Sequence, residues 1–205
     1  MPRPLSKKDI DILEERGYWQ ASSSLYKKVK QLTRKKLPLR IGLIKHAHQI
    51  IFETAEQPDI AGKYRRDNPE VKRIDGTLLE ISHWHNIPND MAGLDEELRE
   101  TSKNLTLPKT KSDYQKIVTV AARLSHRLAC IHPFENGNGR ASRLLLGIIL
   151  IRAGLYEVAI KKEKLEYLRT MHQADIGDFS LLENIIIDGL IENKKKQYQF
   201  QLRKK

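Results

Sequence analysis

Twelve residues, His132-Pro133-Phe134-Glu135-Asn136-Gly137-Asn138-Gly139-Arg140-Ala141-Ser142-Arg143, separate two helical patterns and limit what the chain can fold into. Before them, Ile117, Val120, Ala121, Leu124, Leu128 and Ile131 keep one apolar stripe over about five turns, and Pro133 stops the helix. After them, Leu144 to Ile151 is apolar almost all round, with Gly154 expected just past the helix end. A helix apolar on every side belongs at the centre of a bundle, so the expected fold class is all-α, mainly helical. Within the turn, the glycines permit positive φ, and the amides of Gly137, Asn138 and Gly139 can converge where the next helix begins. The first turn of a helix leaves N–H groups unpaired and carries a partial positive charge, so a phosphate is its natural guest. Arg140 and Arg143 add two cations one turn apart, and His132, whose pKa lies near neutrality unless perturbed, stands at the rim as a base. A base beside a phosphate cradle points to phosphoryl or nucleotidyl transfer onto a hydroxyl. Phe134 is expected to anchor the turn in the core.

The rest of the chain reads as support for that turn. Residues 6–36 are expected to be helical in two pieces, with Ser6 as cap and Gly17 as the interruption. Leu39 to Thr54 follows as a helix; its His46 and His48 are two apart and face different ways, which argues against a shared metal. From Gln57 the pattern changes to Pro58, Gly62, Pro69 and Gly76, with β-prone Val71, Ile74, Leu79 and Ile81 between, and this predicts a short hairpin. His83 and His85 are expected on one strand face ending at Pro88, before a helix over Asp90 to Ser102. Ser112 and Gln115 fit a capping box for the helix that ends at the turn. Helices over Lys162 to Ala174 and Phe179 to Glu192 close the pattern.

The formal charge of +11 is concentrated at the ends: residues 1–45 carry +8, residues 194–205 carry +6, and the middle −3. A weakly acidic middle is a poor match for a phosphate backbone, so nucleic acid is not expected as a partner. A single cysteine, Cys130, allows no internal disulfide, and no run is long enough to span a membrane; both fit a cytoplasmic chain. Cys130 is expected as a small core residue.

The twelve residues closely resemble the Fic family signature, H-x-F-x-[DE]-G-N-G-R-x-x-R, with Asn136 as the one departure. The resemblance implies a helical bundle with a small β-hairpin flap next to the catalytic loop. The expected layout is an N-terminal helical extension over 1–36, the Fic domain over 37–193 and a basic tail over 194–205. It implies AMPylation: His132 accepts the proton of a Ser, Thr or Tyr hydroxyl on a target protein as that hydroxyl attacks the α-phosphate of ATP. Asn138 with the Gly137–Gly139 amides would hold the transferring phosphate, and Arg140 and Arg143 the other two. Mg²⁺ (or Mn²⁺) would bridge the phosphates, with Asn136 a weak ligand where the family has an acid, because an amide supplies oxygen without charge. Val71, Lys72, Arg73, Ile74 and Gly76 fall in the flap that aligns the target as an added strand. A different nucleotide, transfer of a phosphoryl group, and a non-catalytic binding relative stay open as alternatives. Many such enzymes are held off by a glutamate within [ST]-x-x-x-E-[GN]. Neither Glu183-Asn184 nor Glu192-Asn193 matches that pattern, so no built-in inhibitory helix is expected, and control would fall to a separate antitoxin-like protein. Assembly into oligomers is compatible with the pattern.

Overall fold

The computed structural model describes residues 5–73, 75–158 and 164–202. Among them the order is α1 (Lys7–Arg34), α2 (Gly42–Thr54), β1 (Val71–Lys72), β2 (Leu78–Leu79), a 3₁₀ turn (Trp84–Asn86), α3 (Ile87–Asn104), α4 (Lys111–Ile131), α5 (Asn138–Arg152), α6 (Lys164–Asp175) and α7 (Ser180–Leu202). The fold is thus helical with one two-stranded antiparallel hairpin, Val71 opposite Leu79 and Lys72 opposite Leu78. No helix among the described residues is long and apolar enough to cross a membrane.

α5 is the axis. Leu144, Leu145, Ile148, Ile149 and Leu150 are fully buried, and α4 packs along one side while α1 and α2 pack on others. Gly147 lets the Tyr26 ring come in from α1; a Cβ there would stand 2.5 Å from its hydroxyl oxygen. Gly154, at φ 79°, closes the end of α5 as expected. Ala21, Leu25 and Val29 of α1 belong to the same core as α4 and α5, so the expected N-terminal extension is packed into the bundle.

Three local expectations are corrected. Gly17 does not interrupt α1, because it marks the closest approach of α1 to α2: a Cβ there would lie 2.7 Å from the Ile51 carbonyl oxygen. Close helix packing outweighs the roughly 1 kcal/mol a mid-helix glycine costs. α4 is capped by Thr110 and Asp113, not Ser112 and Gln115: Thr110 Oγ1 accepts from the Asp113 amide (3.1 Å), and the Asp113 carboxylate accepts from the Thr110 amide (3.0 Å). Asp113 also accepts from the Lys109 amide at 3.1 Å, which explains why the earlier box wins. His83 and His85 are not on a strand; they flank Trp84 in and before the 3₁₀ turn, and Pro88 falls in the first turn of α3, where its missing N–H costs nothing. At the far end α7 continues helical to Leu202, through the expected basic tail.

Candidate active site

The site starts from how α4 ends. Pro133 forbids another helical turn, and His132 adopts a left-handed conformation (φ 51°, ψ 54°) with its amide still donating to the Leu128 carbonyl at 3.1 Å. The ring turns back so that Nδ1 lies 3.3 Å from the Ala129 carbonyl oxygen. A carbonyl only accepts, so Nδ1 carries the proton and Nε2 is left with a free lone pair. Burial holds the imidazole below its ordinary pKa against the opposing pull of the Ala129 carbonyl, with the Arg65 charge adding to the lowering. The group is a neutral base at physiological pH.

Behind the loop, every polar group is engaged. Buried Arg65 donates its amide to the Pro133 carbonyl (2.9 Å) and Nε to the His132 carbonyl (2.6 Å), while its terminal nitrogens reach the Asp67 and Ser82 carbonyls. One guanidinium therefore ties the loop to the segments on both sides of the hairpin. His48 is pinned from two sides: the Gly62 amide donates to Nδ1 (3.0 Å), so Nε2 bears the proton and donates to the Asn136 carbonyl (2.9 Å). Its ring stacks on Phe134 at 3.8 Å, and burial pushes its pKa down to about 4. Phe134 is fully buried, as expected. The Asn138 side chain closes the loop on itself: Oδ1 accepts from the Phe134 amide (2.9 Å) and Nδ2 donates to the Phe134 carbonyl (2.7 Å). Asn138 therefore faces a ligand only through its backbone. Gly137 is obligatory, since its φ of 81° and a Cβ position 2.7 Å from the Phe52 ring exclude a side chain.

The rim is arranged differently. The Gly137 amide donates to the Asn136 side-chain oxygen (2.7 Å), which removes it from the expected nest. The N–H groups without an acceptor inside the helix are those of Asn138, Gly139 and Arg140, the first turn of α5. Arg140 lies over the Phe52 ring at 5.0 Å and pairs with Glu14 of α1 at 2.6 Å. Glu14 also accepts from Asn136 Nδ2 (3.4 Å) and Gln57 Nε2 (3.2 Å). Of the two Glu-Asn pairs, Glu183 bonds Gln115 and Thr119 of α4, and Glu192 bonds Lys196 within α7. A carboxylate that reaches the loop is that of Glu14, outside any [ST]-x-x-x-E-[GN] pattern. Arg143 lies 5.9 Å over the Tyr167 ring. For Mg²⁺, position 136 offers at this rim a neutral amide oxygen already accepting a hydrogen bond, and the neighbouring Glu14 carboxylate is engaged by Arg140. That donor set fits an ion carried in by nucleotide phosphates and not one held by the protein alone.

The hairpin closes one side of a cavity of about 190 Å³ that Val71, Leu79, His132, Gly139 and Tyr167 line together. Arg73 does not face this space freely, because it is bound to Asp175 of α6 (2.7 Å). Gly76 sits at the tip with φ 84°, Lys72 is exposed, and Ile74 lies outside the described residues. Sequence reasoning placed Lys63-Tyr64-Arg65 with the flap region but missed the anchoring contacts of Arg65, and it missed His48 and Glu14 as parts of this site.

A helical bundle in which a hairpin leans over a histidine-headed loop at a helix N-terminus defines the Fic type of fold. The family model described as "Fic/DOC family" matches residues 38–150, and the chain belongs to that family. Among curated relatives, the protein adenylyltransferase fic-1 of Caenorhabditis elegans is 42% identical over 59 residues, which is 28% of this chain and 12% of that protein. The protein adenylyltransferase Fic of Nematostella vectensis is 48% identical over 59 residues, 28% of this chain and 14% of that one. The match thus spans about an eighth of the length of these relatives. Among solved structures, Fic-1 (residues 134–508) of C. elegans superposes with TM-score 0.73 at 21% identity, covering 100% of this chain and 55% of that one. A Fic domain containing signaling protein from Bacteroides thetaiotaomicron gives 0.69 at 25% identity, over 94% and 72%. BepC of Bartonella tribocorum, solved with bound AMPPNP, gives 0.56 at 20% identity, over 82% and 86%.

Proposed function

We propose that this chain transfers AMP from ATP to a Ser, Thr or Tyr hydroxyl of a target protein, with His132 as general base. The observation that carries the reading is the 3.3 Å contact of His132 Nδ1 with the Ala129 carbonyl oxygen, which leaves Nε2 to act as the base beside a helix N-terminus that bears two arginines. Nε2 takes the hydroxyl proton as the oxygen attacks the α-phosphorus, and the bond to the β-phosphate oxygen breaks, releasing pyrophosphate. The N–H groups of Asn138, Gly139 and Arg140 and the two guanidiniums meet the developing charge, so catalysis rests on positioning and fixed dipoles. When bound, Mg²⁺ (or Mn²⁺) would supply charge to the phosphates, with Asn136 the residue at the rim that would offer it an oxygen. β1 offers a short strand edge on which a target segment pairs by backbone hydrogen bonds. The adenylyltransferase names of the relatives and the AMPPNP in a neighbour of the same fold support ATP as donor.

Glu14 belongs to this reading as a brake. Its carboxylate occupies the Arg140 position that a phosphate needs, so the described state is held off, and loading requires the Glu14–Arg140 pair to open.

The test is incubation with α-labelled ATP and Mg²⁺ in lysate, comparing the parent chain with His132→Ala. Loss of the base should lower transfer by at least about 10²-fold while ATP binding is retained. A His132→Ala protein that labels targets at the parental rate would sink the assignment.

A further inference from the structure

Six residues before His132, on the α4 turn that leads into the loop, a second constellation forms. His126 and Cys130 are four residues apart and project from one face of α4, and Asp175, the last residue of α6, closes against both. His126 Nε2 lies 2.8 Å from Asp175 Oδ1, and Cys130 Sγ lies 3.5 Å from that nitrogen and 3.7 Å from that oxygen. The His126 and Asp175 side chains are each 10% exposed. Among the described residues this is the one group of three His, Cys, Asp or Glu ligand atoms so close together.

We propose that His126, Cys130 and Asp175 bind a divalent transition-metal ion of the zinc class, with water as fourth ligand. Tetrahedral zinc with Zn–S of about 2.3 Å and Zn–N or Zn–O of about 2.0–2.1 Å requires ligand-to-ligand edges of about 3.3–3.6 Å. The Sγ–Nε2 edge of 3.5 Å matches and the Sγ–Oδ1 edge of 3.7 Å is slightly long; Sγ also lies 3.7 Å from His126 Nδ1, so the imidazole turns about its Cβ–Cγ bond to aim Nε2 at an ion shared with the sulfur. The third edge is that of a hydrogen bond and opens by about half an ångström when the ion replaces the proton between Nε2 and Oδ1. The imidazole then carries its proton on Nδ1, the thiol proton leaves to solvent, and one thiolate plus one carboxylate neutralise the ion. The thiolate and the carboxylate offset the ion's charge in this enclosed site, beside the Arg73 guanidinium that already pairs with Asp175, and the thiolate–imidazole pair selects zinc-class ions over the Mg²⁺ that phosphates carry.

Two features outside the triangle fit the same reading. Arg73 Nε holds Asp175 Oδ2 at 2.7 Å, which fixes the carboxylate and leaves Oδ1 for the metal. Cys130 and Asp175 also line the 190 Å³ cavity shared with His132, which leaves room for a water ligand. The ion would thereby clamp α4, α6 and, through Arg73, the hairpin around the turn that carries His132.

The sequence makes the test unambiguous, because the chain has one cysteine and any thiolate–metal signal reports Cys130. The full chain, stripped of metal and kept reduced, is titrated with Co²⁺ and then with Zn²⁺ against a chromophoric chelator. The proposal predicts one equivalent bound, a thiolate-to-cobalt charge-transfer band in the near ultraviolet, and loss of that band when Zn²⁺ is added. Cys130→Ser and His126→Gln should each weaken Zn²⁺ binding by more than about 100-fold while far-ultraviolet circular dichroism stays parental. A His83→Ala/His85→Ala double variant, which removes a close histidine pair away from this site, should bind as the parent does. Absence of the charge-transfer band, or a Cys130→Ser protein that binds Zn²⁺ like the parent, overturns the site.

Discussion

The two sides of the loop that carries His132 are built on opposite principles. On the inner side, Arg65, His48, Asn138 and Phe134 hold the loop through contacts to its backbone and through a stacked ring pair. On the rim, Asn136, Arg140 and Glu14 meet through side chains alone, and Asn136 is exposed. Charge pairs of this kind exchange partners readily, because a phosphate offers Arg140 what a carboxylate offers it. On the proposed function the contrast separates two jobs: the inner side sets where His132 and the α5 N-terminus stand, and the rim would decide whether a nucleotide is admitted.

The inner side is broken most severely at Phe134. Phe134→Ala should cost about 3–5 kcal/mol by the cavity it leaves, read as a lowered denaturant midpoint, with ATP binding and transfer lost together. A variant that keeps parental stability would show that the ring does not hold the loop.

Protonation of His48 attacks the same side. Its folded pKa of about 4 lies below the ordinary 6.5, so the unfolded chain takes up a proton that the folded chain refuses. The contribution is complete above pH 6.5 and is lost as pH falls from 6.5 towards 4, by up to about 3 kcal/mol at roughly 1.4 kcal/mol per pH unit. Urea titrations across that range should show this loss in the parent and a flatter profile in His48→Gln. An equal slope in both would assign the pH dependence elsewhere. The lowered pKa of His132 works in the same direction on activity, placing the acid limb of transfer below pH 6.5.

On the rim, Asn136→Asp should lower the Mg²⁺ concentration needed for transfer by about tenfold, since a carboxylate adds the charge that the amide lacks. It also sets a second carboxylate against Glu14, 3.4 Å from the atom it replaces, and so loosens the brake. The two contributions separate in a Glu14→Gln background, where only the metal effect should remain. An unchanged Mg²⁺ requirement would remove position 136 from metal binding.

The same divide governs what could be read in the sequence. α4, the loop, α5 and the burial of Phe134 were legible because their signals are local: a 3.6-residue stripe, a proline stop, two glycines and an all-apolar run. Gly17 misled because its local helix penalty is overridden by contact with Ile51 of α2, which no neighbouring residue announces. The inner frame was illegible for a like reason: Arg65 meets His132 across 67 residues of sequence, and His48 meets Asn136 across 88. His48 looked like an ordinary surface or core histidine, since a hydrogen-bonded bridge between two backbone groups leaves no spacing rule. Glu14, 122 residues from Asn136, was hidden in the same way. A search for a brake by motif inspects residues around a pattern, whereas the contact depends on how α1 lies across α5.

The most direct test of the divided loop is an ATP titration by calorimetry on the parent chain and Glu14→Gln, with thermal melts of both. Freeing Arg140 from a charge-assisted pair should tighten ATP binding about fivefold, near 1 kcal/mol, with the melting temperature within a few degrees of the parent. Equal affinity in the two proteins, or a gain in affinity accompanied by collapse of stability, would contradict the assignment of holding to the inner side and admission to the rim.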